Sequence, residues 1–160
     1  MAIAPTLMLY NICMNVLQFP SEKRPELRTK SVFVEPSEDD GLRLMIVQRS
    51  IVDLCVQKYP ELSCDPEYAD DWIAALYPGK DTKRRVLEDN DGYSKFMHCY
   101  RGTLHHPIRR VFLEAIVNTV LEREVTITLL CVESDPARCH RGVTANFAKE
   151  IDSRIPVVIR

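Results

Sequence analysis

The sequence predicts an α/β fold: a single three-layer domain, residues 1–160, with a mostly parallel sheet flanked by helices. Three observations carry this. The last third alternates strand, helix and strand, at residues 125–131, 139–152 and 155–159. A right-handed crossover then lays the two strands parallel, with the helix on one face. The strand candidates are short continuous apolar runs, as expected of strands covered on both faces. A chain of 160 residues suits one domain that buries roughly 70% of its unfolded surface, so the core requires no disulfide or metal.

In chain order, residues 6–13 (TLMLYNIC) form an apolar run suited to a first strand. Residues 18–31 hold two prolines and many charges and read as an exposed loop, with a second strand at 31–34. Residues 36–41 (PSEDDG) are a turn. Proline presets φ, Ser and Asp bond nearby backbone, and glycine permits positive φ. Residues 42–47 (LRLMIV) are a third apolar strand, and 49–58 lean towards helix. Asp65, Pro66 and Glu67 resemble a helix start, with Asp65 as N-cap and an apolar stripe of Trp72, Ile73 and Leu76, ended by Pro78 and Gly79. Residues 79–92 are polar, a loop with a short helix. A helix at 94–102 carries Phe96, Met97 and Tyr100 on one face, and His105-His106-Pro107 breaks the chain. The longest helix spans 108–123, with Val111, Phe112, Ala115, Ile116 and Leu121 near helical spacing.

Composition narrows the function. The net charge is −2, 46% of residues are hydrophobic and 28% charged. That balance disfavours a general nucleic-acid coat protein, which is normally basic. No apolar run reaches the roughly 20 residues of a membrane span. Residues 1–19 lack a basic n-region and are interrupted by Asn11, Asn15 and Gln18, so they do not read as a signal peptide. The six cysteines (Cys13, Cys55, Cys64, Cys99, Cys131 and Cys139) include no C-x-x-C pair. Free thiols in a reducing cytoplasm are the expectation.

The chemistry concentrates at one place. Strand 125–131 ends at Cys131, the chain breaks at Asp135-Pro136, and a helix restarts with Cys139, His140 and Arg141. Ligands in parallel sheets sit at the carboxyl ends of strands. A helix N-terminus favours anions and thiolates. The dipole alone supplies only about 0.3–1 kcal/mol, less than one pKa unit, so His140, Arg138 or Arg141 must help activate Cys139. A phosphatase-like cradle fits poorly: Cys131 and Arg138 have six residues between them, Glu133 and Asp135 repel phosphate, and no glycine comes before Gly142. Metal binding also lacks the usual close ligand pairs, and neighbours such as Cys139 and His140 point apart on a helix. A Cys131–Cys139 redox pair across the loop is conceivable from position, although spacing does not show it. The bland alternatives are a packed Cys139, a helix-capping Asp135, a solvated His105-His106 pair, and core roles for Trp72, Phe96 and Tyr100.

The run Leu129 to Arg141 (LLCVESDPARCHR) resembles the signature of domain-of-unknown-function family 488. Residues 36–43 (PSEDDGLR), residues 71–78 (DWIAALYP) and the aromatic helix around Tyr93, Phe96, Tyr100 and Arg101 are similar to its YeaO-like branch. Together these cover about residues 30–150. The resemblance implies a compact α/β fold and no established activity. The chain departs from that branch at Val47, Gln48 and Arg49, and it carries the Cys-His-Arg form that the branch often lacks. Arg43 is then the better basic candidate on its strand.

The leading expectation is an enzyme, or enzyme-like binder, of a small anionic ligand such as a nucleotide or phosphorylated metabolite. Cys139 is its nucleophile and His140 its acid/base. Arg141 and Arg43 hold the anion, with Arg138, Glu133 and Cys131 completing the substrate site. No metal and no cofactor are assigned. The rival is a non-catalytic module binding nucleic acid or protein, with the cluster structural and Lys83, Arg84 and Arg85 tracking a phosphate backbone. Homodimerisation suits either reading, and no membrane partner is expected.

Overall fold

The computed structural model describes residues 24–62, 69–79 and 92–160. Five parallel strands form one sheet in the order β3-β2-β4-β1-β5. They are β1 (Leu27–Ser31), β2 (Leu42–Met45), β3 (Asp71–Trp72), β4 (Ile127–Cys131) and β5 (Val157–Ile159). The helices are α1 (Arg49–Lys58), α2 (Gly92–Thr103), α3 (Pro107–Glu122) and α4 (His140–Ile151). This is the α/β class, with a parallel sheet flanked by helices, that the sequence predicts. Among the described residues no helix is long and apolar enough to cross a membrane.

The apolar alternation explains the layers. Leu42, Leu44, Ile127 and Leu129 pack with Tyr100 of α2 and with Leu104 just beyond it, with Leu113, Ile116, Val117 and Val120 of α3, and with Ala145, Phe147 and Ala148 of α4. Met45 and Leu130, one residue out of phase, belong to a second cluster with Val47 and with Val52 of α1. Strand β4 is central and buried along its whole length, which accounts for its unbroken apolar sequence. Its last residue, Cys131, pairs with Ser31 at the end of the β1 ladder.

Two expectations need correction. The strand placed at 31–34 lies earlier, at Leu27–Ser31, within the stretch that reads as an exposed loop. Its charges are neutralised locally, which lets a polar-looking segment enter the sheet. Arg28 bonds the Glu26 carboxylate and the Asp39 carbonyl. Lys30 donates to Asp40 at 2.7 Å and to the Glu35 carbonyl at 2.6 Å. The second correction concerns the helix expected to carry Trp72, Ile73 and Leu76. Residues 69–79 instead hold strand β3 and a 3-10 turn at Ala74–Leu76. The edge of β2 captures this segment: Asp70 N–H donates to the Arg43 carbonyl at 2.8 Å, and Ile73 N–H to the Met45 carbonyl at 2.9 Å. Tertiary pairing thus overrides the local helix signals. The expected strand at 6–13, the proposed cap Asp65 and the basic run Lys83-Arg84-Arg85 lie outside the described residues.

Gly41 makes the turn into β2 with φ +60. A Cβ there would stand 2.1 Å from the Thr126 carbonyl oxygen, which also accepts the Leu42 N–H. Both contacts are backbone, so no side chain can move aside. Gly41→Ala is expected to cost about 3 kcal/mol from strain and clash, lowering Tm by roughly 6–12 °C. Thermal unfolding followed by circular dichroism checks this, and a change under 2 °C would refute it.

Candidate functional site

Strand β4 delivers Cys131, fully buried, to the end of the sheet. The chain then turns through Val132, Glu133 and Ser134. Asp135 accepts the Ala137 N–H at 2.9 Å, so it caps the 3-10 turn Pro136–Arg138. Proline at the first position of that turn has no N–H to leave unsatisfied. Cys139 follows with extended backbone, φ −132 and ψ 138, as the N-cap of α4. Its Sγ accepts the Arg141 N–H at 3.4 Å.

That extended N-cap matters. Successive residues within a helix point about 100° apart, but Cys139 is not yet in the helix. Cys139 and His140 therefore reach the same place despite being neighbours. Ligand-type atoms of Cys131, Glu133, Cys139 and His140 all lie within 4.8 Å of one another. The Oε2 atom of Glu133 lies 2.7 Å from Cys131 Sγ and 3.1 Å from Cys139 Sγ, accepting from each thiol. The imidazole of His140 lies beside Cys131, with Sγ 3.7 Å from Nδ1 and 3.8 Å from Nε2.

The imidazole is held on several sides. Its Nε2 is 2.8 Å from the Ile46 carbonyl. A carbonyl can only accept, so Nε2 carries a proton. The Tyr100 ring meets it edge-on at 5.1 Å. The Tyr100 hydroxyl donates to the Leu76 carbonyl at 2.8 Å and contacts Thr144 Oγ1 at 3.0 Å, and Thr144 itself donates to the His140 carbonyl at 2.9 Å. His140 and Cys139 are each 1% exposed, whereas Glu133 is half-buried and forms the open side.

The three acids of the cluster separate electrostatically. Burial disfavours a Cys139 thiolate, but hydrogen bonds from Cys131 and His140, with the charge of His140, outweigh it and pull the thiol down to about 6. Burial pushes Cys131 well above the usual thiol range, and donation to Cys139 pushes it the same way. Glu133 is lowered: burial opposes ionisation, but the two thiol donors prevail. The Cys139–Glu133 contact is a hydrogen bond only while Cys139 is protonated. Once ionised, Cys139 accepts from the Arg141 N–H, and from Cys131 when that thiol turns its single proton from Glu133 to Cys139.

The arginines expected to grip an anion are dispersed. Arg141 is fully buried and donates to the main-chain oxygens of Glu133, Ser134 (3.1 Å) and Arg160 (3.2 Å). It braces the 132–138 loop from below. Arg43 sits opposite Thr128, three positions short of Cys131 along the ladder, or roughly 10 Å away. It pairs with Asp70 at 3.7 Å. Arg138 is exposed and lies over the Tyr93 ring at 5.1 Å. Tyr93 is a site neighbour that sequence reasoning did not assign: burial raises its hydroxyl, and the charges of Glu133 and Cys139 add to the rise. The clamp on His140 from Ile46 and Thr144 was also unassigned. Thr144 lies one helical turn after His140, a spacing readable in the sequence; the Ile46 carbonyl left no such mark. His105 meets the Phe147 ring at 4.9 Å, Arg109 donates to the Tyr77 carbonyl at 2.9 Å, and Arg110 pairs with Glu114, so these residues serve packing and surface pairing.

Among known families, the model described as DUF488-N3a, the active DUF488-N3 subclade, matches residues 27–151, a span that contains the whole cluster. No curated protein and no solved structure shows a significant match.

Proposed function

The chain belongs to the DUF488 family, and from that premise we propose that Cys139 is the nucleophile of an enzyme or enzyme-like binder acting on a small anionic ligand. The convergence on Cys139 Sγ of the strand end, His140 and the Arg141 N–H in the first turn of α4 carries this reading. Such a setting favours a thiolate. The roles differ from those read in sequence. His140, with Nε2 held by a carbonyl, supports the thiolate and positions it instead of relaying a proton to solvent. Glu133 accepts from the Cys139 thiol and so holds its proton back. Arg138 attracts the anion at the rim, and Arg141 positions the loop. A ligand reaches Cys139 when the half-buried Glu133 side chain swings aside.

Paired alkylating agents test both halves. Iodoacetamide is neutral and iodoacetate is an anion of the same size. On metal-free protein at pH 6.5, with modified sites mapped by mass spectrometry, the iodoacetate-to-iodoacetamide rate ratio at Cys139 is expected to exceed that at exposed Cys99 by severalfold. Arg138→Ala should erase the excess, and Glu133→Ala should raise both rates. A ratio at Cys139 below that at Cys99 would remove the anionic ligand, and a Cys139 inert to both agents in Glu133→Ala would remove the nucleophile.

A further inference from the structure

We infer that Cys131, Glu133, Cys139 and His140 form a four-ligand site for a thiophilic divalent cation of the Zn2+ type. The inference concerns the same side chains as the thiolate reading but does not depend on Cys139 acting as a nucleophile. A tetrahedral zinc site, with bonds of about 2.3 Å to sulfur and about 2.0 Å to nitrogen or oxygen, has edges of roughly 3.3–3.8 Å. The contacts from Glu133 Oε2 to the two sulfurs are 2.7 and 3.1 Å, that from Cys131 Sγ to Nδ1 is 3.7 Å, and every pair lies under 4.8 Å. Small side-chain shifts therefore convert one arrangement into the other.

Three further features point to a metal. The donor set holds two sulfurs and an imidazole, which suit zinc and exclude hard cations such as magnesium or calcium. His140 has the outer bond common to histidine ligands: Nε2 donates to the Ile46 carbonyl, which in the neutral imidazole leaves Nδ1, 3.7 Å from Cys131 Sγ, as the nitrogen available to a metal. The two sulfurs and the imidazole are nearly solvent-free, which shields a bound ion from competing water. On binding, the two thiols lose their protons to solvent and each sulfur forms a bond to the metal. The ligand set is then closed. A cation there ties the end of β4, the 132–138 loop and the start of α4 together, and it removes Cys139 from reaction with electrophiles.

Cobalt titration of chelator-treated full-length protein tests this. One equivalent of Co2+ is expected to produce the visible bands of tetrahedral cobalt and the near-ultraviolet band of thiolate-to-cobalt charge transfer. Zn2+ should then displace Co2+ and bleach both. Loss of an outer-shell partner alone weakens a metal by roughly 10–100-fold, so Cys131→Ser should weaken Co2+ by at least about 100-fold. Glu133→Gln, which keeps shape and loses charge, should weaken it without unfolding the chain, as circular dichroism would verify. Zn2+ should also slow Cys139 alkylation at least tenfold while leaving Cys99 unchanged. Absent cobalt bands, or bands that persist in both variants, would overturn the metal site. Fast Cys139 alkylation with no cobalt bands would leave the thiolate reading standing alone, and cobalt bands with an inert Cys139 would do the reverse.

Discussion

Replacing Arg141 by alanine is expected to destabilise the protein by about 2–4 kcal/mol, a loss of roughly 4–16 °C in Tm. Arg141 is among the largest fully buried side chains, and its guanidinium donates to three main-chain oxygens on two separate segments. Truncation leaves those oxygens short of donors and opens a cavity beneath the loop that carries Glu133. Arg141→Lys should recover little, because an ammonium cannot reproduce a planar fork that reaches several carbonyls at once. A second readout separates bracing from ligand binding. If Arg141 braces the loop, its removal loosens Glu133 and raises alkylation at Cys139 by iodoacetate and iodoacetamide alike. If instead it grips an anion, stability changes by less than 1 kcal/mol and only the iodoacetate rate falls. That outcome would return Arg141 to the substrate-binding role first read for it.

How much of this could be read from the residues depended on where the compensating partner sat. The strand Ile127–Cys131 and the helices Pro107–Glu122 and His140–Ile151 were legible because their apolar pattern is long and their boundaries carry Pro107, Asp135 and Pro136. Strand β1 was not. Its LRTKS sequence reads as surface until Glu26 and Asp40 are seen to neutralise it, and Asp40 is ten residues from Lys30. The Asp71–Trp72 strand was masked by helix-start signals upstream that the edge of β2 overrode. At the site, Cys131, Cys139 and His140 stood out as residues at a strand end and a helix start. Glu133 was named, but its position between two thiols was not foreseeable. Adjacent side chains point apart where both residues are helical. Cys139 is extended, at φ −132, which brings its side chain and that of His140 into one cluster.

The pH dependence of Cys139 gives the sharpest test of its electrostatics, because a ratio of rates at one residue cancels the effect of burial on access. An ordinary thiol with a pKa of about 8.5 is about 1% ionised at pH 6.5 and half ionised at pH 8.5, so its alkylation accelerates about 50-fold across that interval. Cys139, pulled down to about 6, is already mostly thiolate at the lower pH. Its rate in metal-free protein should rise by less than about twofold, while that of Cys139 in urea-unfolded protein shows the full increase. The groups around Cys139 set the direction. Hydrogen bonds from Cys131 and His140 favour the thiolate, Glu133 opposes it, and burial opposes it most. His140→Gln should therefore move the midpoint up by at least one unit, whereas Glu133→Gln should move it down. The same linkage governs stability. A thiol depressed in the fold contributes stability that is fully present above its unfolded pKa and is lost as pH falls through about 6. Cys131, raised in the fold, works the other way and costs stability once pH exceeds the unfolded thiol range. Urea midpoints should thus climb from pH 6 to about 8.5 and then decline. A midpoint that is flat across this range, together with a 50-fold rise in Cys139 alkylation, would show that the cluster leaves Cys139 an ordinary buried thiol.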